Sequence, residues 1–484
     1  MPHSRPLQLM NTFGRRVEEF QSIEPGKVRM YTCGPTVYSF AHIGNFRAFI
    51  VADTLRRVLE YNGYEVRYIR NITDVGHLTN DEIGAGPDKI EEAARKQHIS
   101  PWELAASYTE AFLKDAQRLN LVEPTSEPRA TEYVEKMIDM VRSLIDAGKG
   151  YAVDGSVYYD VTSFPRYGKL SGNTIQDLIA GARVEVDEEK RSPADFALWK
   201  SAGKDKIMRW ESPWGEGVPG WHLECSAMAM DLLGEQIDIH TGGVDHIFPH
   251  HEDEIAQSEG VTGKRFARFW LHNEFLQLTG DEKMSKSRGS ILTVSDLVEG
   301  GIHPLSFRYF TFQAHYRTPL NFSWRAVGAA QTALVRIWEQ AAELYQDGQR
   351  EEPGVEAISY RDRFHEAVNR DLDLPGAVAV THDVLSSKLE AGQKLGLFQD
   401  FDRVLALDIL PMAEALSRVS PEEKRLLEKR AGVRQAKDFK RSDELRAELA
   451  AGGLDVKDSA RGQRWARNDI LPRGNHDTVD GSDH

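Results

Sequence analysis

Two segments of this 484-residue chain carry residue types suited to polyphosphate chemistry: His42-Ile43-Gly44-Asn45 and, further on, Lys283-Met284-Ser285-Lys286-Ser287. A glycine lets a nucleotide approach the backbone closely, and a histidine beside it offers a donor to phosphate oxygens. Taken alone, a histidine near a helix start, as His42 is, is more often a structural cap or surface residue than a catalytic group. Two lysines and two serines in a loop closed by Arg288-Gly289 suit charge building on a departing polyphosphate, although most such runs are solvated basic loops. A third set is softer: Cys33, Cys225 and the run from His250 to Glu254. Two thiolates, an imidazole and a carboxylate favour zinc, whereas a hard cation wants more oxygens. His250 and Glu254 stand four apart, so on a helix they share a face. Sequence alone leaves open whether these segments meet, and two buried free thiols are the alternative.

The elements that must position them are legible around the first segment. Residues 28–33 form a short apolar strand, followed by a turn at Gly34-Pro35. From Asn45 to Tyr61 the apolar residues Phe46, Phe49, Ile50, Leu55, Val58 and Leu59 recur at helical spacing, Gly63 stops the pattern, and 65–72 is a second strand. Strand, helix and strand make a βαβ unit, hence a parallel sheet with the ligand at the strands' carboxyl ends and phosphate at the helix N-terminus.

Apolar residues are 40% and charged residues 28% of the chain, an ordinary globular balance for two to four domains. The net charge of −15 excludes a uniformly basic nucleic-acid coat but not a local one. Residues 424–467 hold 13 Lys or Arg against 7 Asp or Glu, so positive charge gathers at one end. There Trp465, among Arg461, Arg464 and Arg467, would stack on an unpaired base, against the plainer reading of a solvated face with ion pairs. No apolar run reaches the ~18–20 residues of a membrane span. The first 16 residues lack a secretory stretch, and two cysteines 192 positions apart do not suggest a disulfide framework, so a cytoplasmic protein without membrane contact is expected.

The pair HIGN and KMSKS resembles the signature of class I aminoacyl-tRNA synthetases. The stretches YTCGPTVYSFAHIGNFR (31–47), RNITDVGHL (70–78), GARVEVDEEKRSPADFALWK (181–200), SPWGEGVPGWHLECSAM (212–228) and DIHTGGVDHIFPHHEDEIAQSE (238–259) narrow the resemblance to the cysteinyl-tRNA synthetase family. So do LDLPGAVAV (372–380) and AKDFKRSDELRAEL (436–449), and only the last dozen or so residues fall outside. The resemblance implies one Zn2+ per chain, held by Cys33, Cys225, His250 and Glu254. It implies L-cysteine, ATP with Mg2+ and tRNA-Cys as substrates, and a monomer. His42, Gly44, Asn45 and Lys286 would bind ATP, with His42, Asn45, Lys283 and Lys286 catalytic. Trp221 would wall the side-chain pocket, and Thr73 and Asp245 would take the substrate amino group. Arg461, Arg464, Trp465 and Arg467 would contact tRNA. One departure is Asn45, where the family usually has histidine: asparagine still donates a hydrogen bond but never carries charge.

The expected architecture is α/β, a Rossmann-like parallel-sheet core with a connective insertion, followed by a helical bundle and a small C-terminal tRNA-binding domain. Its expected parts are 1–115 and 221–289 for the two halves of the core, 116–220 for the insertion, 290–325 for a linker fold, 326–415 for the bundle, 416–470 for an anticodon-binding domain and 471–484 for a mobile tail. Within the insertion, 131–148 reads as a helix and 151–161 as strand. Two other functions compete. A ligase joining cysteine to a small amine would share the zinc and ATP motifs but needs no basic C-terminal domain. An RNA-binding protein with structural zinc would have damaged ATP motifs.

Overall fold

Val28, Met30 and Tyr31 are buried in a strand covered on both faces, the environment a parallel sheet demands. The computed structural model describes residues 5–75, 78–80, 85–174, 189–203, 206–278, 292–347, 350–352, 354–459 and 462–471. A hairpin of β1 (Gln8–Asn11) and β2 (Arg16–Glu19) precedes β3 (Lys27–Thr32), α1 (Ile43–Tyr61) and β4 (Glu65–Arg70). The expected βαβ unit is present: β3 and β4 pair in parallel with Val28 opposite Val66 and Tyr31 opposite Ile69. Then come β5 (Leu78–Asn80), β6 (Ala85–Asp88), α2 (Lys89–Gln97), α3 (Pro101–Arg118) and α4 (Val134–Asp146).

Next, β7 (Gly150–Val153), β8 (Ser156–Tyr159), β9 (Phe196–Ser201) and β10 (Gly217–Pro219) build a separate antiparallel sheet. The chain re-enters the parallel sheet through α5 (Trp221–Leu233), β11 (Ile237–Gly243), α6 (Glu252–Thr262) and β12 (Ala267–Asn273). The sheet order is β12-β11-β3-β4. Thr241 pairs with Thr32 and Gly243 with Asn273, so the ends of three strands gather on one edge.

Beyond β13 (Leu276–Leu278) the described chain is largely helical: α7 (Val294–Glu299), α8 (Pro304–Thr311), then, after β14 (Leu320–Phe322), α9 (Trp324–Asp347), α10 (Val355–Asn369), α11 (Leu374–Ser386), α12 (Ala391–Leu405) and α13 (Ile409–Ser417). Phe364 stacks on Phe401 with ring centroids 4.0 Å apart, and the Trp338 indole donates to the Leu407 carbonyl, tying these helices together. A small unit closes the chain: α14 (Pro421–Gln435), α15 (Phe439–Ala451) and the hairpin of β15 (Leu454–Ser459) and β16 (Gly462–Arg467). No helix among the described residues is long and apolar enough to cross a membrane.

Three details differ from the sequence reading. The strand expected over 151–161 is two strands, because Asp154 and Gly155 both take positive φ and turn the chain back as a tight hairpin. The helix expected from 131 begins as a 3-10 turn, Ala130–Tyr133, before α4. The expected borders at 115 and 415 fall inside α3 and α13. The expected tail beyond 471 lies outside the described residues.

The core is fastened to the helical region by a buried ion pair. Arg308, fully buried on α8, places Nη2 2.5 Å from Asp53 on α1 and donates to the carbonyls of Leu405 (2.8 Å) and Leu119 (3.0 Å). Arg57 and the Val122 N–H also bond to Asp53. Burial pushes the Asp53 carboxyl up, but the charges of Arg308 and Arg57 outweigh it and hold the pKa below the usual range. A carboxyl lowered by folding stabilises above its unfolded pKa, and that stability is lost as pH falls through the folded value. Asp53→Ala should therefore lower stability by about 3–5 kcal/mol at pH 7, read as the urea midpoint, because it leaves a buried guanidinium unpaired. The deficit should shrink as the wild type is titrated below about pH 4.

Candidate active site and metal centre

A cleft of about 490 Å³ opens at the carboxyl edge of the parallel sheet. One wall carries His42, Gly44, Asn45, Ala48 and Phe49, the other Asn273, Glu274, Phe275 and Leu276, and Cys33, Gly242, Gly243 and Asp245 also line it. The turn after β3 fits this crowding: a Cβ on Gly34 would sit 1.5 Å from the Asn71 carbonyl oxygen.

His42 and Asn45 form a reciprocal cap at the start of α1. The Asn45 N–H donates to His42 Nδ1 (3.1 Å) and the His42 N–H to Asn45 Oδ1 (3.0 Å). A Cβ on Gly44 would press to 2.9 Å from the His42 ring, so the glycine clears space for the imidazole. Burial lowers the His42 pKa, against the pull of Asp245. The ring is thus neutral at pH 7, and with Nδ1 accepting, its proton sits on Nε2, where it is a donor. The cap reading of His42 holds, and the same cap leaves Nε2 as the ring's donor. It also gives Asn45 a task that requires no charge.

Cys33, Cys225, His250 and Glu254, all buried, place one ligand atom each within 4.8 Å of one another. Three distant segments supply them: the end of β3, the second turn of α5, and the junction entering α6. That junction differs from the expected helix. Ile247–His251 is an irregular turn and α6 starts at Glu252, yet His250 Nε2 still lies 3.0 Å from Glu254 Oε1. Burial pushes the Cys33 thiol well up. Cys225 goes the other way, to about 6, where hydrogen bonds from Cys33 and His250 overcome its own burial. Glu254 is held low by His240 and His250 despite burial.

A second quartet shares two members: Cys33, His240, His251 and Glu254 also lie within 4.8 Å. The first set holds both thiols of the chain, the second only one. In the first, His250 Nε2 faces Glu254 Oε1 at 3.0 Å; in the second, His240 Nε2 is bonded to Glu254 Oε2 (2.8 Å) and His251 Nε2 to Cys33 Sγ (3.3 Å). The donor set of two sulfurs, one nitrogen and one carboxylate fits zinc.

Sequence reasoning missed the groups that hold these donors in place. Behind Cys33 runs His251, then His272 (2.7 Å), then the Thr12 hydroxyl (2.7 Å). Behind His250 stands His222, ring nitrogens 2.8 Å apart, with Asp253 3.2 Å from its far nitrogen and Tyr167 bonded to Asp253. Burial keeps His251 and His272 neutral, well below the usual histidine range. The available signal was a histidine standing where a buried strand should be apolar, as in IDIHTGG and FWLHN.

Of the other expected site residues, Asp245 lines the cleft, whereas Thr73 and Trp221 are not among its lining residues. Thr73 is buried, with its hydroxyl accepting from Asn71 Nδ2 (3.0 Å). Trp221 packs on His250, ring centroids 4.6 Å apart. Lys283, Lys286 and Arg461 lie outside the described residues. Arg464, Trp465 and Arg467 are engaged within the chain: Arg464 with Asp347, the Trp465 indole with the Ser417 carbonyl (3.0 Å), and Arg467 with Glu423 (3.1 Å) and Asp469 (2.9 Å).

Two family models match the chain: the tRNA synthetases class I (C) catalytic domain over residues 19–332 and the cysteinyl-tRNA ligase anticodon binding domain over 417–465. The chain is 45% identical to a cysteine–tRNA ligase of Caldicellulosiruptor saccharolyticus, covering 95% of this chain and 100% of that protein. It is 42% identical to a cysteine–tRNA ligase of Thermus thermophilus, covering 95% and 99%. Among solved structures, a methionyl-tRNA synthetase of Mycobacterium tuberculosis in complex with methionyl-adenylate shares the fold, with a TM-score of 0.54 and 16% identity over 80% of this chain and 90% of that one.

If the first quartet is the metal site, Cys225→Ser and His250→Ala should purify without stoichiometric zinc by elemental analysis. His240→Ala and His222→Ala should retain it with affinity weakened by roughly 10–100-fold. Full zinc in Cys225→Ser, with loss in His251→Ala, would move the metal to the second quartet.

Proposed function

The chain belongs to the cysteine–tRNA ligase family of class I aminoacyl-tRNA synthetases, and from that premise we propose how its residues divide the work. The reaction is ATP-dependent ligation of cysteine to tRNA. The amino acid carboxylate attacks the α-phosphate, pyrophosphate leaves, and a ribose hydroxyl at the tRNA 3′ end displaces AMP from the adenylate. A small amine as acceptor is not favoured, because the chain carries an anticodon-binding domain.

Displacement at phosphorus relies on positioning and charge stabilisation more than on a protein base. In our reading ATP, accompanied by Mg2+, lies in the cleft, with its α-phosphate on the N–H groups at the start of α1 and on the Nε2–H of His42. Asn45 acts by holding His42 in that tautomer. Lys283 and Lys286 clamp the β- and γ-phosphates as pyrophosphate departs, and Asp245, on the cleft surface, takes the ammonium group of cysteine. Thr73 supports the cleft from behind through Asn71. Trp221 steadies the His250 ring and closes the pocket on that side.

A zinc ion on Cys33, Cys225, His250 and Glu254 would supply a soft Lewis acid that bonds a substrate thiolate and leaves a serine hydroxyl unbound. Cys33 is the member of the set that lines the cleft, and this single observation carries the reading: soft donor set and nucleotide cradle border one space. Packing alone would separate cysteine from serine poorly, since a small size difference is worth ~1–3 kcal/mol.

At the far end, the exposed Lys424, Arg425, Lys429, Lys437 and Lys440 present the cationic face that we assign to tRNA-Cys. Arg464, Trp465 and Arg467 instead dock the hairpin onto α9, α13 and α14. We read the working unit as a monomer.

Cysteine should support ATP–pyrophosphate exchange and serine should not, with a preference on the order of 10⁴-fold. Stripping zinc with a chelator should abolish cysteine-dependent exchange and re-addition should restore it. A metal-free enzyme that still rejects serine would refute the thiolate reading. Transfer to purified tRNA-Cys should need the C-terminal unit, whereas exchange should not.

A further inference from the structure

Arg47 lies one turn into α1, on the far side of the helix start that carries His42 and Asn45. It is almost fully buried, with 1% of its surface exposed. Its hydrogen bonds go to main-chain carbonyls: Nη1 donates to Glu274 (2.8 Å) and Phe275 (2.6 Å), and Nη2 to Thr318 (2.6 Å). Burial lowers its pKa to about 10, so it remains a cation at neutral pH, and Glu274 adds a through-space attraction. Burying a guanidinium costs several kcal/mol unless its donors are met, so three carbonyls on two separate segments are a specific arrangement rather than a packing accident.

The segments Arg47 grips are parts of the cleft. Asn273, Glu274, Phe275 and Leu276 make up the wall facing α1, yet Arg47 itself does not line the space. Thr318 lies just before β14, which pairs with β13 from Leu276 to Leu278. The same wall is braced from its other side, because the Leu320 N–H bonds to the Phe275 carbonyl (3.0 Å) and the Glu274 N–H to the Tyr316 carbonyl (2.9 Å). Among the described residues, Arg47 carries side-chain hydrogen bonds from the helix with the proposed phosphate cradle to this braced wall. A planar guanidinium fixes distance and orientation at once, which a lysine ammonium on a flexible stem does not.

We infer that Arg47 is a positioning residue for ATP: its fork on the Glu274, Phe275 and Thr318 carbonyls sets the width of the cleft between the wall at 273–276 and the start of α1. The inference rests on the placement of ATP in this cleft. Cysteine, which meets the soft donors at the sheet edge, does not depend on that width in the same way. Positional errors near an ångström are enough to lower the rate of a reaction that works by alignment.

The test is steady-state ATP–pyrophosphate exchange by the full chain, with ATP and cysteine varied separately and the melting temperature recorded. Arg47→Lys keeps the charge and loses the fork. It should raise the KM for ATP, or lower kcat per folded enzyme, by roughly tenfold or more, while the KM for cysteine stays within about twofold. Arg47→Gln carries the same comparison if the lysine variant does not fold. A fall in kcat that only tracks the folded fraction, with both KM values unchanged, would overturn the inference, as would equal rises in both. His42→Ala, run alongside, separates the two claims. If it leaves ATP kinetics untouched, the placement of ATP in this cleft fails and the inference with it. If His42→Ala is impaired and Arg47→Lys is not, only the inference fails.

Discussion

Four buried side chains from three distant segments bring donors that could hold a metal ion within 4.8 Å of one another. That is a demanding arrangement, because thiols, a carboxyl and an imidazole at such distances repel or neutralise one another unless each is held from behind. The histidines supply that hold. His251 backs Cys33, His222 backs His250, and His240 backs Glu254, each through a ring nitrogen that the ligand atom alone could not restrain. Two of these backing chains end in uncharged hydroxyls, Thr12 and Tyr167, so the network closes without adding a further cation. Hydrogen-bonded rings of this kind fix orientation at little cost, whereas the same rings unpartnered and buried would be among the most expensive groups in the fold.

That demand explains why the site sits where it does. Only at the carboxyl edge of a parallel sheet do chain segments far apart in sequence end side by side with their next residues free to turn inward. Cys33 follows β3 directly, Asp245 follows β11, and Asn273 ends β12. The helix that crosses from β3 to β4 begins at this same edge and brings its N–H groups with it. The soft donor set and the proposed phosphate site are thus neighbours because of one topological fact, and the cleft borders both.

The sequence disclosed whatever depends on near neighbours. The βαβ unit was readable because helical and strand periodicities are local, and the ligand types were readable because cysteine, histidine and glutamate announce their chemistry wherever they stand. Asp154-Gly155 was an available turn signal that a run of strand-forming residues masked. His240 and His272 were not readable as partners, since an isolated histidine in a strand gains meaning only when another segment packs on it. Trp465 shows what composition leaves out: an aromatic among arginines suggested a base, and the fold adds that its indole meets the Ser417 carbonyl and its arginine neighbours meet Asp347 and Glu423. Composition describes what a residue is able to bind, and tertiary contact decides what it binds.

Two of the buried arginines extend that point. Arg308 and Arg47 are each desolvated, and each satisfies its fork largely on main-chain carbonyls from segments distant in sequence. A hydrophobic side chain of equal size would fill either place at lower electrostatic cost, so stability alone does not account for them. What they share is α1: Arg308 pins its middle through Asp53, and Arg47 reaches from its first turns. The helix at whose start we place the phosphates is therefore fixed at two levels, to the helical region by an ion pair and to the opposite cleft wall by a fork. In an enzyme whose chemistry consists mainly of holding reactants in line, rigidity at that helix is where buried charge has its use.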